Sequence, residues 1–254
     1  MEKEVVYVAE LDTDCDMVAA NYLYNEGVLK CVVCDPVPKS SEIIRRIEIL
    51  KSLGIQVLYE MPSVAKYVFL GGRLTIIANY VKTHHIDLLV MCGGFVGKTI
   101  IGCGFPKYSS KDVVKTFTFN RDVRATDYVL RTGKRKIGKI VLVGKNVCRS
   151  SKNTGSTYGF WSSDKYKELI DRYHIRGDKR LHDLLVCHEG LSFLDKRHDK
   201  LCNYAFVKPF NTGLNGKDTE WGSTKTDPTP YRDVYAAVCF RFCPGICSII
   251  KELR

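Results

Sequence analysis

The stretch LDTDCDMVAANYL, residues 11–23, places aspartates at positions 12, 14 and 16 directly before an apolar, helix-compatible run. The preceding VVYVAEL, residues 5–11, is typical of a buried strand, so the carboxylates lie where a strand gives way to a helix. Three neighbouring carboxylates repel one another when ionised, so they need a cation, shared protons or full solvation. The simpler alternative is a turn in which Asp12 caps the helix and the others face solvent.

Strands and helices alternate outward from this stretch. Strands are expected at 5–11, 29–35, 55–60, 86–94 and 139–145, and helices from Met17 to Gly27, at 42–54 after a Ser40 or Ser41 cap, and near 73–82. Because the strands are almost uniformly apolar, the pattern predicts an α/β fold with a mostly parallel central sheet and helices on both faces, of the Rossmann-like kind. Ligands bind beyond the carboxyl ends of such strands, where the aspartates fall.

Length and composition indicate a single globular domain over residues 1–254. The chain is 45% hydrophobic and 26% charged, and no apolar run reaches the roughly 18 residues that a membrane span needs. Its charged start, MEKEVVYVAELD, differs from a signal peptide. We therefore expect a cytoplasmic protein without a membrane partner, whose eleven cysteines are reduced.

The chain has a formal charge of +11, which favours anionic partners. Part of the excess lies in RTGKRKIGK, residues 131–139, which is either a phosphate-contacting segment or a solvated loop. Basic and aromatic residues do not alternate as in an RNA-binding sheet, so a nucleic-acid partner is not favoured. The segment 120–133 is expected to be partly helical, and the long polar loop 146–163 suggests a functional role.

A hard divalent cation is the simplest solution to the crowding of the three aspartates. Calcium accepts six to eight oxygen ligands in irregular geometry. An aspartate on such an ion can also take a proton from metal-bound water and so generate a nucleophile near neutral pH.

The sequence resembles the nucleoside hydrolase family, calcium-dependent enzymes that cleave the N-glycosidic bond of ribonucleosides. LDTDCDMVAA is similar to the family's DxDPGxDD and following helix, although it is two residues shorter and lacks the Pro-Gly. EIIRRIEILKSLGIQVLYEM (42–61), DLLVMCGGFVG (87–97), KIVLVGKN (139–146) and KNTGSTYGFWSSDKY (152–166) resemble later family segments in the same order. PYRDVYAAVCF (230–240) resembles HDPLAVA, a helix start, so the resemblance spans nearly the whole chain.

The resemblance implies a calcium site and a catalytic base. By position, Asp14 would be metal ligand and general base, Asp16 a second ligand or ribose contact, and Asp12 a supporting ligand. The remaining metal ligands would be Asp233 and the main-chain carbonyl of Val96. Implied substrate contacts are Asp16, Asp35, Asn153, Trp161 and Arg232.

The departures from the family pattern fall on the sugar contacts. Gly159 stands where the family has a sugar-binding glutamate, and Trp161 replaces the following asparagine. Losing two ribose contacts that strengthen in the transition state could cost several kcal/mol of catalysis. Arg232 replaces a histidine; it could hold a phosphate or carboxylate, so an anionic ribosyl substrate fits better than a neutral nucleoside.

Three functions follow as hypotheses. The first is calcium-dependent hydrolysis of a ribosyl N-glycosidic bond, on a small nucleoside-like or ribosyl ligand. The second is a catalytically impaired relative that binds a nucleotide-like ligand or a protein partner, with a homo-oligomer left open. The third is a metal-dependent phosphoesterase of the DHH type, for which THHIDLLVMCGG (83–94) offers only a broken motif.

Overall fold

The computed structural model describes residues 3–37, 40–97, 108, 110–148, 164–174, 180–195, 197–226 and 233–240. Its first half runs β1 Val5–Ala9, α1 Asp14–Asn25, β2 Leu29–Cys34, α2 Ser41–Ser52, β3 Val57–Leu58, β4 Tyr67–Leu70, α3 Thr75–Tyr80 and β5 Ile86–Cys92. The strand β4 was not predicted from the sequence, whereas the other elements lie close to their predicted positions. Of the two residues predicted to cap α2, Ser40 is the cap, because its hydroxyl accepts the N–H of Ile43 at 3.3 Å.

The second half is less regular. It runs β6 Val113–Lys115, α4 Phe117–Arg121, α5 Val123–Arg131, a 3-10 turn Gly133–Lys136, β7 Ile137–Val143, α6 Lys145–Cys148, α7 Asp164–Arg172, α8 His182–Leu194, β8 Cys202–Asn211, a 3-10 turn Gly216–Asp218, β9 Glu220–Lys225 and β10 Asp233–Phe240. Asp122 ends α4 and caps α5 through the N–H of Ala125, at 3.0 Å. The segment 120–133 is therefore helical, as predicted in part.

The described strands form one sheet in the order β3-β2-β1-β4-β5-β7-β10-β8-β9-β6. Neighbours from β3 to β10 are parallel, and β8, β9 and β6 add antiparallel pairs at one edge. This confirms the predicted α/β fold with a mostly parallel sheet. No helix within the described ranges is long and apolar enough to span a membrane.

The strand β1 shows why its sequence is apolar at every position. Val5, Tyr7 and Ala9 pack into one core cluster with α1 and α8, while Val6 and Val8 pack into a second with α3 and α5. Successive side chains of a strand point to opposite faces, and here both faces are covered by helices. Cys31 and Cys34 are buried free thiols of β2.

One expectation drawn from the resemblance is wrong. Asp233–Phe240 forms a strand, not the start of a helix. It lies between β7 and β8, and Val234, Ala236, Ala237 and Val238 are all buried. A small-residue segment with nearly continuous burial suits an interior strand, and pairing on both sides satisfies its backbone hydrogen bonds.

Candidate functional site

A cavity of about 130 Å³ lies beyond the carboxyl ends of β1, β4 and β5. We call it the acidic cavity because four carboxyl side chains reach it. It is lined by Glu10, Asp12, Thr13, Asp16, Gly71, Gly72, Cys92, Phe117, Thr118, Arg121, His182 and Asp183. The cavity lies at the carboxyl edge of the sheet beside the opening aspartates, where the sequence predicted a site.

Asp16 is a buried carboxylate at the start of α1. It accepts the backbone N–H and the hydroxyl of Thr13, both at 3.1 Å, and the hydroxyl of Tyr7 at 3.3 Å. Burial raises the pKa of Asp16 to about 6, and the hydrogen bonds from Thr13 and Tyr7 oppose that rise. The helix is therefore capped at Thr13 with help from Asp16, and the alternative in which Asp12 caps it does not hold.

Asp183 is the second buried carboxyl of the cavity, and it comes from α8. It is 8% exposed, and burial followed by the charge of Asp16 raises its pKa well above the usual value. Gly71 lets the end of β4 approach it, since a Cβ there would come within 2.6 Å of the Asp183 carboxylate. No signal in the sequence pointed to this residue, because Asp183 lies far along the chain at the start of an apolar helix.

Arginine supplies the positive charge in the acidic cavity. The guanidinium of Arg121 ion-pairs with the buried Glu10, its Nε lies 3.2 Å from Oε1, and its Nη2 lies 3.9 Å from Asp12 Oδ2. The same group lies over the ring of Phe117, at 5.2 Å from the centroid. Arg73 adds a more distant pair with Glu10, at 3.9 Å. The sequence did not single out these residues, and only Glu10, directly after β1, could have been found from its position.

Asp14 points away from the acidic cavity. Its carboxylate pairs with Arg46 of α2 at 2.9 Å, and Arg46 also contacts Glu42 at 2.7 Å. Residues two apart on a helix project about 200° apart, so Asp14 and Asp16 cannot share a face of α1. The structure therefore brings Asp12 and Asp16 to the cavity and leaves Asp14 outside it.

Asp35 and Val96 have other partners. Asp35 accepts the N–H of Ile76 at 3.3 Å, and burial raises its pKa while Arg73 lowers it. Asn146 donates to the Val96 carbonyl at 2.9 Å and accepts the Val96 N–H at 2.8 Å. Neither Asp35 nor Val96 lines the acidic cavity.

Asp233 lies away from the carboxyl edge of the sheet, where the acidic cavity is. Its backbone pairs with Lys139, four residues before β7 ends at Val143, which is about 13 Å along a strand. The described structure does not extend to its side chain. Asn153, Trp161 and Arg232 also lie outside the described residues, so their implied substrate contacts stay predictions.

The described residues do not fit the calcium site that the resemblance implies. They contain no group of three or more aspartate, glutamate, histidine or cysteine side chains placed to hold a metal ion. Arg46 pairs with Asp14, Asn146 donates to the Val96 carbonyl, and Arg121 lies against Glu10 and Asp12. Calcium stays a prediction of the sequence, without support from this geometry.

The histidines of the broken DHH-like motif lie elsewhere. His84 and His85 precede β5, at the amino end of a strand whose carboxyl end reaches the cavity. His84 stacks on Tyr80, and His85 lies 3.3 Å from the exposed Asp87. This placement does not favour a paired-metal phosphoesterase.

Comparison with known proteins supports the fold of the chain. No family model matches the chain, and no curated protein matches it. Among solved structures, the chain is similar to "Plant nucleoside hydrolase - PpNRh1 enzyme", with a TM-score of 0.54 and 14% identity, over 99% of this chain and 98% of that chain. The chain is thus an α/β protein with a nucleoside hydrolase-like fold. At this identity the likeness concerns the fold alone.

Proposed function

We propose that the protein hydrolyses the N-glycosidic bond of a ribosyl compound in the acidic cavity. The observation that carries the proposal is the set of four carboxyl side chains, Glu10, Asp12, Asp16 and Asp183, at the carboxyl edge of this fold. Open α/β sheets bind ligands at this edge, and the nucleoside hydrolase-like architecture supports a ribosyl ligand.

Asp12 is the carboxylate best placed to act on water. Its side chain is 46% exposed, whereas Asp16 and Asp183 are buried. In the reaction, the C1′–N bond breaks with its electron pair going to the base nitrogen, and a water oxygen bonds to C1′. Asp12 takes a proton from that water, and the departing base is protonated by solvent.

The buried carboxyl groups act on the sugar. Hydroxyl groups of ribose can donate hydrogen bonds to Asp16 and Asp183, which fixes the ring relative to Asp12. Cleavage passes through an oxocarbenium-like transition state, and the negative charge of Asp16 beside the sugar stabilises the positive charge that develops there. These steps use side chains of this protein. They differ from what the resemblance implies, because the resemblance assigns the role of general base to Asp14.

A second candidate is binding of the same ligand without turnover. The ion pair between Arg121 and Glu10, with Arg121 also 3.9 Å from Asp12, favours it, because the guanidinium partly neutralises the cavity. A neutralised carboxylate is a poorer base and stabilises an oxocarbenium ion less.

Release of free base from a panel of nucleosides and nucleoside monophosphates tests the proposal. We expect release by the unmodified protein, at least a hundredfold slower release by Asp12→Asn, and wild-type release by the surface control Asp87→Asn, whose side chain is exposed. The variant Asp14→Asn separates the two assignments of the general base. If Asp14→Asn loses activity while Asp12→Asn retains it, the role of Asp12 is overturned. If no member of the panel is cleaved while one binds, the second candidate is correct.

A further inference from the structure

A second cavity adjoins the acidic one and has the opposite charge. It has a volume of about 200 Å³ and lies beyond the carboxyl ends of β5 and β7. Lys145 and Arg180 line it, and among the described residues no carboxyl side chain does. We call it the basic cavity.

The two cavities share a wall. Cys92, Phe117, Thr118 and His182 line both. Phe117 is 68% exposed, which is unusual for a phenylalanine, and its ring can contact a molecule lying across the boundary. One ligand can therefore reach both cavities at once, with groups of different chemistry in each.

The basic cavity also contains polar groups whose hydrogen-bonding capacity is unused. The hydroxyl of Thr116 is buried, with the residue only 3% exposed, and it has no hydrogen-bond partner in the described structure. The buried Nε of Arg180 likewise has none there. A buried polar group without a partner destabilises the folded protein, so a ligand that supplies acceptor oxygens would recover this loss.

We infer that the basic cavity binds the phosphate of a phosphorylated ribosyl ligand whose sugar lies in the acidic cavity. The inference rests on the proposed function and names its substrate class. A phosphate has several acceptor oxygens and a negative charge, which match the Arg180 guanidinium, the Lys145 ammonium and the Thr116 hydroxyl. On the other side of the shared wall, the sugar hydroxyls donate hydrogen bonds to the carboxyl groups of Asp16 and Asp183.

Isothermal titration with ribose 5-phosphate, ribose and inorganic phosphate tests this inference. We expect ribose 5-phosphate to bind at least tenfold more tightly than either ribose or phosphate. A hydrogen bond to a charged group contributes about 1.5–3 kcal/mol, so Arg180→Gln should weaken ribose 5-phosphate binding by about 10- to 100-fold and leave ribose binding unchanged. Arg45→Gln, at an exposed position of α2 that lines neither cavity, is the matched control and should leave both unchanged.

Thr116→Val separates ligand binding from folding. Valine has nearly the shape of threonine, and the lost hydroxyl has no partner in the described structure, so the variant should be at least as stable as the unmodified protein in thermal unfolding. Its affinity for ribose 5-phosphate should nevertheless fall by about 2- to 10-fold.

The outcomes separate this inference from the proposed function. If ribose 5-phosphate and ribose bind equally well, or if Arg180→Gln and Thr116→Val leave ribose 5-phosphate binding unchanged, the basic cavity is not a phosphate site. Binding of ribose that Asp183→Asn weakens would then still support a sugar site in the acidic cavity. If the phosphate-dependent binding is found but no nucleoside monophosphate is cleaved, the phosphate site stands and the hydrolase proposal fails.

Discussion

Replacing Arg121 with methionine should destabilise the folded protein through Glu10. The Glu10 side chain is 7% exposed, and the Arg121 side chain, 34% exposed, makes its closest ion pair. Removing one partner of a buried pair costs about 3–5 kcal/mol, because the other charge is left buried. Partial exposure of Arg121 and the remaining pair of Glu10 with Arg73, at 3.9 Å, reduce the expected loss to about 2–3 kcal/mol.

A double-mutant cycle measures this coupling. Glu10→Gln removes the buried charge, so Glu10→Gln combined with Arg121→Met should recover about 1–2 kcal/mol relative to Arg121→Met alone. Urea unfolding at pH 7 without ligand gives the four free energies of unfolding. The matched control is the pair of Asp14 and Arg46, whose carboxylate is 48% exposed and whose coupling should stay below about 1 kcal/mol.

Additivity of the two cavity substitutions within about 0.5 kcal/mol would refute the reasoning, since it would mean that Glu10 and Arg121 do not interact. Arg121 would then not be the group that balances the cavity charge. The case for a metal ion at the opening aspartates would become stronger.

The remaining predictions concern metal, pH and packing. Calcium chloride added after EDTA should shift the thermal unfolding midpoint by less than about 1 °C, and a rise of several degrees would restore the calcium hypothesis. Burial raises the pKa of Glu189 from 4.5 to about 7, so this group should contribute a fall in stability of about 3 kcal/mol as pH rises from 4.5 through 7. Glu189→Gln should reduce the measured fall by about that amount in urea titrations at pH 5 and 8, and an unchanged slope would contradict this assignment. Gly144→Ala should lower the free energy of unfolding by at least about 2 kcal/mol, because the added Cβ would lie 2.2 Å from the Gly94 carbonyl oxygen. The control Gly27→Ala adds a Cβ with no atom within 4 Å and should lower it by only about 1 kcal/mol, through the positive φ of Gly27. Equal losses in the two variants would exclude the clash as the cause.

Five of the ten described strands, β1, β2, β3, β5 and β7, could be predicted because they carry their information locally, whereas β6, β8 and β9 were not predicted. The predicted strands are short apolar runs, and burial on both faces requires such sequences. The predictions failed where local sequence was ambiguous. The strand β4 has four residues, and β10 has a composition that also suits a helix. Both segments form strands because they pair with neighbouring strands that are remote in sequence.

The sequence by itself determined that carboxylates gather where β1 ends and that the surrounding fold is α/β. It could not determine which carboxylates converge. Helical geometry turns Asp14 toward Arg46 and Asp16 into the cavity, and the packing of α8 adds Asp183 from more than 160 residues away along the chain. The placement of Arg121 beside Glu10 and Asp12 likewise depends on α4, so only the tertiary structure decided that arginine meets these carboxylates. Charge balance in a buried site depends on distances between elements remote in sequence, and no local pattern encodes those distances.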